Sequence, residues 1–472
     1  MEICLAKGIE RNYTAAQTLD ISDPGEIMKK FNSTVTIIAT AIVGVIIIAG
    51  LGWLYWGNYL ERETPSIKSS QDISMIGKQK KLEITFADKK SGLSQLYAEI
   101  IQDNKGQILA AENIASRGNK QKTISLTIDT VALKLHDGSA LVKFTATDHS
   151  LFKNHTILSQ PVKIDTVPPQ IYLLNPVNNA NQGGTCFIAY RISKPAALTG
   201  IYVNDYFTSG YTIMVENKPT SLVYFAIPID ASRTKTTIKV FARDTAGNEA
   251  NISLPCNIKA KKFRADKVNL GNSFLQQKMP EFQAAIPQLQ GKTLLEVFGY
   301  INIQMREENN KTILNICGKS GNKQLWNGAF LRMSNAAPTA LFGDQRTYLV
   351  GGKPFGNAIH LGVDLASTAH APIEAANDGI IIFAGSLGIY GNAVIIDHGL
   401  GLFSLYGHLS SIETTVGKNV KKQEKIGLSG LSGLAGGDHL HFSILVGGQF
   451  VNPQEWWDPH WISDNINKKM IF

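Results

Sequence analysis

The sequence has few cysteines and no paired cysteine motif. Four cysteines occur among 472 residues, and no two of them form a C-x-x-C pattern. This excludes a disulfide-dense scaffold and a zinc site built from thiolates. Cys186 and Cys256 lie near opposite ends of one predicted module, where a bridge and two buried free thiols are equally compatible with the sequence.

Charge is also sparse. Charged residues make up 18% of the chain and apolar residues 44%, so neither disorder nor a coiled coil describes the whole chain. The net charge of +8 comes without an arginine-rich run, zinc-finger spacing or an aromatic stacking pattern. No nucleic-acid partner is therefore expected. The length predicts roughly two to four domains, and the 42 glycines favour turn-rich β-structure.

The sequence has one long hydrophobic run. Val35 to Trp56 contains 22 residues without a charge, and a helix rising about 1.5 Å per residue over this length crosses a bilayer. A signal peptide would be shorter and would end at a small-residue cleavage site, whereas aromatic residues such as Tyr59 follow this run. We therefore expect an uncleaved transmembrane helix over 35–57, with a buried core helix as the alternative.

The charges around this run predict its orientation. Two lysines precede the run, and two glutamates with one arginine follow it. The positive-inside rule then places the tail 1–34 in the cytoplasm. We expect a single-pass protein of the inner (cytoplasmic) membrane, with most of the chain in the periplasm or extracytoplasmic space.

Residues 70–259 consist of short apolar-alternating segments broken by glycine, asparagine, aspartate and proline. Two segments match at an offset of 96 residues, VKFTATD at 142–148 and IKVFARD at 238–244. Such alternation is typical of a half-buried strand. The DTVPP segment at 165–169 interrupts strand pairing between the two copies. This repeat predicts two β-sandwich modules.

The two modules resemble the bacterial immunoglobulin-like repeats of surface proteins. The resemblance rests on the TATD and AGN segments and on the DTVPP linker. It implies Ig-like β-sandwiches over 70–166 and 167–259, which act as spacers or adhesive domains. We favour the spacer interpretation.

The sequence pattern changes near Lys261. Thr293 and Glu296 have the spacing of a capping box that opens a helix, and a helical stripe of apolar residues follows. We expect a helical connector over 260–333. It could extend the C-terminal domain, link it to the modules or cover its cleft.

Histidine is concentrated near the C-terminus, with seven of the ten histidines between His360 and His460. His360 and Asp364 are both zinc-ligand residue types. On a straight strand they would lie about 13 Å apart, too far to share one ion. Gly362 between them allows the chain to bend.

Two further segments add histidines in strand-like patterns. His439 and His441 would lie on one strand face about 7 Å apart, which suits one ligand and one neighbour facing the open position of the ion. Ser404, Tyr406 and His408 would share one face of another strand.

These segments resemble the lysostaphin/LytM-type zinc metallopeptidases, which cut peptide bonds in bacterial cell-wall peptidoglycan. The resemblance runs from about residue 337 to residue 453. Its segments occur in the family's order: HLGVDLA at 360–366, GNAVIIDHGLG at 391–401, LYGHLS at 405–410, VGKNVKKQEKIGLSG at 416–430 and GDHLHFSI at 437–444. It implies a small glycine-rich antiparallel β-domain over 334–458 with a metal in a groove, followed by a tail over 459–472.

The resemblance also implies the site residues. His360, Asp364 and His441 match the family's zinc ligands, and His408 and His439 match its two catalytic histidines that do not bind the ion. Three protein ligands leave a position for water, which zinc would acidify while it polarises the scissile carbonyl. One of the two histidines would be the general base, and the other would stabilise the oxyanion or protonate the leaving amine. The sequence does not assign these two roles.

We therefore predict a mainly β, membrane-anchored zinc metalloendopeptidase with one Zn²⁺ per chain. Its substrate would be the peptide cross-links of peptidoglycan, and the bond cut and the oligomeric state are left open. The alternative is a catalytically silent scaffold or activator of a cell-wall amidase. The segment 261–345 is long enough to cover the groove and keep the enzyme latent.

Overall fold

The computed structural model describes residues 24–232 and 234–470. Most of the predicted cytoplasmic tail, with Cys4, lies outside these residues. Helix α1 (Pro24–Trp56) contains the predicted span, and its stretch Val35–Trp56 has a mean hydropathy of 2.6 with none of it buried inside the protein. The structure thus confirms an apolar helix long enough to cross a membrane. Its role as an anchor stays a prediction.

The chain folds as two compact units. Among the described residues, the first unit contains 24–74, 81–128 and 139–163, and the second contains 75–80, 129–138, 164–232 and 234–470. The predicted domain boundaries stay predictions.

Eight strands lie in the first predicted module or just before it. They are β1 (Ser66–Ser69), β2 (Met75–Ile76), β3 (Gln79–Ala87), β4 (Leu93–Gln102), β5 (Lys105–Asn113), β6 (Gln121–Asp129), β7 (Gly138–Asp148) and β8 (His155–Ile164). Strands β1, β3 and β6 form one sheet, and β8, β7, β4 and β5 run side by side in another. Strand β7 contains the VKFTATD segment, and its Val142, Phe144 and Ala146 are buried at alternate positions.

The second predicted module contains ten strands. They are β9 (Ile171–Leu173), β10 (Asn178–Asn181), β11 (Thr185–Ile192), β12 (Ala196–Val203), β13 (Tyr206–Ser209), β14 (Tyr211–Val215), β15 (Lys218–Ala226), β16 (Ile238–Asp244), β17 (Glu249–Ser253) and β18 (Cys256–Lys259). Two four-stranded sheets have the orders β14-β15-β11-β9 and β13-β12-β16-β17. Cys186 and Cys256 are free thiols here. The immunoglobulin-like character of both modules stays a prediction.

The second module packs directly on the C-terminal domain. The Tyr224 ring lies 5.8 Å from the Trp456 ring, centroid to centroid, in a shared hydrophobic core. Beside it, the carboxylate of Glu455 accepts hydrogen bonds from Asn181 Nδ2 (2.8 Å) and the Thr185 amide (2.7 Å). This packing differs from the spacer interpretation, because a spacer would not share its core with the domain that it holds.

The connector is helical, as predicted. It contains β19 (Ala265–Asn269), α2 (Asn272–Ala285), a 3₁₀ turn (Pro287–Leu289), α3 (Leu294–Tyr300), a π-helical turn (Ile301–Met305) and α4 (Arg306–Ile316). The capping box is confirmed, because Thr293 Oγ1 accepts from the Glu296 amide at 3.3 Å and the Glu296 carboxylate accepts from the Thr293 amide at 2.8 Å. Phe298 and Ile301 are buried in one cluster with Phe403 of the C-terminal domain.

The C-terminal domain is a glycine-rich antiparallel β-structure, as predicted. Its strands are β20 (Ala337–Ala340), β21 (Gln345–Val350), β22 (Lys353–Ile359), β23 (Val363–Ala366), β24 (Pro372–Glu374), β25 (Gly379–Ser386), β26 (Asn392–Asp397), β27 (Leu402–Leu409), β28 (Ser411–Ile412), β29 (Asn419–Val420), β30 (Lys425–Leu428), β31 (Leu440–Val446) and β32 (Gln449–Val451). Helices α5 (Pro453–Trp457) and α6 (Pro459–Asn465) follow. The main sheet has the order β20-β23-β31-β27-β26-β25-β29, with β32 paired to β31. Neighbouring strands β23, β31 and β27 supply most of the site.

Candidate metal centre

The three predicted metal ligands meet at one end of these strands. Asp364 on β23 lies directly opposite His441 on β31 in the antiparallel register. His360 follows the last residue of β22, and the chain bends through Gly362 before β23 begins. This bend brings His360 to the Asp364 side chain. The sequence predicted that Gly362 would allow such a bend.

The ligand atoms of these residues converge on one point. His360 Nε2 and His441 Nδ1 each lie 2.9 Å from Asp364 Oδ1, and the two nitrogens lie 3.1 Å apart. All three side chains are buried. Two imidazoles and one carboxylate this close together can hold one metal ion.

The second nitrogen of each ligand imidazole has a hydrogen-bond acceptor. His360 Nδ1 lies 3.0 Å from the Leu341 carbonyl, and His441 Nε2 lies 2.9 Å from Ser443 Oγ. Ser443 donates its own proton to the Leu361 carbonyl at 2.8 Å, so its oxygen accepts from His441. These bonds leave the lone pairs of His360 Nε2 and His441 Nδ1 directed at the shared point.

Close packing explains the glycine at position 362. A Cβ atom there would lie 2.5 Å from His441 Nε2 and 2.6 Å from Ser443 Oγ, well inside contact distance. Any side chain at Gly362 would therefore displace the ligand imidazole or the serine that orients it.

The two further histidines lie beside the ligands. The His408 and His439 rings are 4.8 Å apart between centroids, and the His408 ring is 5.8 Å from that of His441. His408 Nδ1 lies 2.8 Å from the Ser432 carbonyl, and His439 Nδ1 lies 2.8 Å from the Gly437 carbonyl. With Nδ1 donating, Nε2 of each ring is the atom that can take or give a proton at the site.

An unusual backbone conformation directs the His408 side chain toward the site. Its φ is +64°, in the left-handed region that few residues other than glycine adopt. It lies near the end of β27, after Gly407, which pairs with His441. A strained backbone at a polar cavity is common at functional sites.

Burial and mutual contacts perturb the ionisation of this cluster. Burial opposes ionisation of Asp364, but hydrogen bonds from His360, His439 and His441 outweigh it and hold the pKa of Asp364 well below its usual range. Burial, reinforced by the neighbouring histidines, lowers the pKa of His408 to about 3. The imidazole of His408 is therefore neutral near pH 7, which leaves it able to accept a proton.

The cluster opens into a cavity of about 530 Å³. Arg306 and Asn310 of α4 line it, together with Arg346 of β21, whose Nη2 lies 3.6 Å from Asp364 Oδ2. These three residues were not predicted, because nothing in their sequence spacing relates them to the histidine segments. The connector thus reaches the groove, as the latency hypothesis requires, but latency itself stays a prediction.

His398, a further histidine of the domain, has structural surroundings. His398 is buried, with Nδ1 2.7 Å from the Asp378 carbonyl and Nε2 2.7 Å from Ser404 Oγ. This agrees with the expectation that His398 is structural. Ser404 and Tyr406, expected on the same face as His408, bond to each other at 3.0 Å and to this buried network.

Comparison with known proteins identifies the domain that carries this cluster. Residues 358–453 match the profile of Peptidase family M23. The chain carries an M23 peptidase domain at its C-terminus. The match contains His360, Asp364, His408, His439 and His441, whose roles stay predictions.

The M23 domain is similar to domains of several bacterial cell-wall proteins. It is 44% identical over 95 residues to the DD-carboxypeptidase/endopeptidase Mpg of Neisseria meningitidis, covering 20% of this chain and 22% of that protein. It is 37% identical over 95 residues to the peptidoglycan DD-endopeptidase ShyA of Vibrio cholerae, with 20% and 22% covered. It is 39% identical over 95 residues to the murein hydrolase activator EnvC of Escherichia coli, with 20% and 23% covered. The chain spans about a fifth of the length of each relative.

Proposed function

We propose that the chain is a membrane-anchored zinc metalloendopeptidase that hydrolyses peptide cross-links of bacterial peptidoglycan. The observation that carries this proposal is the convergence of His360 Nε2, His441 Nδ1 and Asp364 Oδ1 within about hydrogen-bond distance of one another, beside two further histidines. Helix α1 is the proposed single anchor in the inner membrane, with the M23 domain in the periplasm.

The donor set fits zinc. Zinc prefers nitrogen and oxygen donors of this kind, and catalytic zinc sites use three protein ligands and keep one position open. His360, Asp364 and His441 would hold the ion, and Leu341 and Ser443 would fix the orientation of the two imidazoles. When bound, zinc supplies a Lewis acid that polarises a carbonyl and acidifies water.

The two remaining histidines are the proposed proton carriers. His408 and His439 present Nε2 to the cavity while their Nδ1 atoms donate to backbone carbonyls. One of them takes a proton from the attacking water, and the other donates to the developing oxyanion or to the leaving amine. Burial lowers the pKa of His408, whereas the contact with Asp364 outweighs burial and raises that of His439.

The similarity to cell-wall enzymes supports the choice of substrate. Two relatives are named as endopeptidases of the DD type, one of them acting on peptidoglycan. An apolar helix followed by a large extracytoplasmic part would place the enzyme at that polymer.

A second candidate function is activation of a cell-wall amidase without cleavage. It is favoured by the 39% identity to a protein named as a murein hydrolase activator. The complete set of ligands and neighbouring histidines argues for cleavage, since binding alone requires no metal site.

Metal content and peptidoglycan digestion distinguish the two candidates. We would purify the full chain in detergent, measure zinc by elemental analysis and follow peptide release from purified peptidoglycan by mass spectrometry. We expect about one zinc per chain and peptide release, both lost in His441→Ala. The exposed His460 supplies a matched control, and His460→Ala should retain both.

The contrary outcomes are equally clear. Wild type that binds zinc, releases no peptides and stimulates a purified amidase would establish the activator. Wild type that binds no zinc even after zinc is supplied would rule out the proposed site.

A further inference from the structure

A second buried cluster of ligand-type side chains lies in the first module, apart from the M23 domain. Glu61, Asp88 and Asp148 are 6%, 3% and 0% exposed. One carboxylate oxygen from each lies within 4.8 Å of the others. Glu61 follows the apolar helix by five residues, Asp88 begins the loop between β3 and β4, and Asp148 ends β7.

In two of these carboxylates, one oxygen accepts a hydrogen bond from a backbone amide. The Ser91 amide donates to Glu61 Oε2 at 2.6 Å, and the Gly92 amide donates to Asp88 Oδ1 at 2.5 Å. The other oxygens, Glu61 Oε1 and Asp88 Oδ2, are buried and have no hydrogen-bond partner among the described residues. Two of the three carboxylates that approach one another therefore each carry a buried oxygen free to bind a cation.

Within residues 24–232 and 234–470, no basic side chain forms an ion pair within 4.0 Å of these three carboxylates. Lys90 on the same loop pairs with Glu63 instead, at 2.6 Å. The Arg117 guanidinium stacks on the Tyr59 ring, 3.5 Å from its centroid. Lys90 interacts with Glu61 electrostatically but does not pair with it. Burying three carboxylates without a directly paired cation is strongly unfavourable, so the cluster favours the binding of a cation.

The second module contains the same arrangement with a counter-ion built in. Asn248 Nδ2 donates to the Asp165 carbonyl (2.6 Å) and to Asp244 Oδ2 (3.0 Å). In the first module, Asn154 Nδ2 donates to the Glu61 carbonyl (2.9 Å) and to Asp148 Oδ2 (2.7 Å). Glu61 therefore corresponds to Asp165, and Asp148 corresponds to Asp244.

The third position differs in charge between the modules. Leu93 pairs with Asp148 in the first module, as Ala196 pairs with Asp244 in the second, so the loops before these two residues correspond. The second loop carries Lys194, whose Nζ lies 2.9 Å from Asp165 Oδ2 and 2.7 Å from Asp244 Oδ2. The first loop carries Asp88. Where one module has an ammonium group between two carboxylates, the other has a third carboxylate.

We propose that Glu61, Asp88 and Asp148 bind a calcium ion. All the donors are oxygens. Such a donor set suits a hard divalent cation better than zinc, which prefers nitrogen and sulfur donors. The ion replaces the charge that Lys194 supplies in the second module. Since Glu61 lies just beyond the apolar helix, the ion fastens the segment that leaves this helix to the loops of the first module. The proposal does not depend on the peptidase activity.

Direct binding of calcium tests the proposal. The full chain in detergent, already loaded with zinc, is dialysed against ⁴⁵Ca²⁺. We expect one calcium per chain with a Kd of about 10⁻⁴ to 10⁻³ M, the range of extracellular calcium modules. The double variant Glu61→Gln/Asp88→Asn should bind at least about 100-fold more weakly, since it removes two of the three charged ligands. Calcium should raise the melting temperature of the wild type and leave that of the variant unchanged.

Glu83→Gln is the matched control, because Glu83 is an exposed carboxylate on β3 of the same module. It should bind calcium as the wild type does. Without calcium, the double variant should melt no lower than the wild type, because it relieves repulsion, and this checks that it folds.

Three results would overturn the proposal. The first is equal calcium binding by wild type and Glu61→Gln/Asp88→Asn, and the second is equal loss of binding in the Glu83→Gln control. The third is magnesium binding more tightly than calcium, which would refute the choice of ion.

Discussion

The histidine cluster of the M23 domain and the carboxylate cluster of the first module are built alike but offer different donors. Each brings three buried side chains from separate elements to within 4.8 Å. The first offers two imidazole nitrogens and one oxygen, and the second nitrogen of each imidazole donates its proton to a fixed acceptor. The second offers only oxygens, two of them without partners. Since the two clusters have the same number of ligands and similar burial, we expect donor chemistry to decide which ion each one binds.

The largest expected effect is a separation of the two metals by mutation. Asp364→Ala removes the oxygen common to both imidazole contacts, so zinc and peptide release should fall to background while calcium binding is kept. Elemental analysis, ⁴⁵Ca²⁺ dialysis and peptidoglycan digestion on one preparation measure all three. Loss of calcium in this variant would show that the two clusters are not independent sites.

A smaller effect is expected where histidine supplies chemistry rather than metal binding. His408→Ala and His439→Ala should each retain zinc and lower kcat by about 10²–10⁴, the usual contribution of a positioned acid or base. Their pH–rate profiles should differ, with His408→Ala losing the acidic limb if His408 is the base. Zinc loss in either variant would make that residue a ligand and contradict its assignment.

The second module allows the carboxylate cluster to be tested from the opposite side. Lys194→Met leaves the buried Asp244 (2% exposed) and the partly exposed Asp165 without a counter-charge, which should destabilise the chain by about 3 kcal/mol. Thermal unfolding measures this against Lys239→Met, which removes an exposed lysine from β16. Equal melting temperatures of the two variants would mean that a buried carboxylate pair in this fold needs no cation.

The same pair predicts a pH dependence. Burial opposes ionisation of Asp244, but bonds from Lys194 and Asn248 outweigh it and lower its pKa. The stabilisation is therefore present above the usual pKa of an aspartate and is lost as the pH falls through the lowered value. Lys194→Met should flatten this acid limb of the stability curve.

The two clusters also differ in how far the sequence could predict them. The histidine cluster was predictable from the resemblance of its segments to the lysostaphin/LytM-type metallopeptidases, and the structure adds the strand register that places Asp364 opposite His441. The carboxylate cluster was not, since Glu61, Asp88 and Asp148 come from three unrelated positions with no motif. The 96-residue repeat indicated two similar modules, but the correspondence between the loop that carries Lys194 and the loop that carries Asp88 appears only in the strand pairing and hydrogen bonds of the structure.

The surroundings of the site show the same limit. The sequence predicted that Gly362 allows a bend. It could not predict that a side chain at this position would collide with His441 and Ser443, because that contact depends on how the strands pack. Arg306 reaches the cavity only because the connector helices pack on the M23 domain. Contacts between segments distant in sequence leave no periodic or spacing signal.

The smallest expected effect concerns the support of a ligand rather than the ligand itself. Ser443 accepts from His441 Nε2 and donates to the Leu361 carbonyl, so it fixes the tautomer that presents Nδ1 to the ion. Ser443→Ala should weaken zinc affinity by about 10–100-fold while kcat at saturating zinc stays near the wild-type value. Competition with a zinc chelator measures the affinity. Calcium affinity in this variant should be unchanged, because a carboxylate ligand has no tautomer for a serine to fix. A fall in kcat at saturating zinc would instead place Ser443 in the chemistry of the reaction.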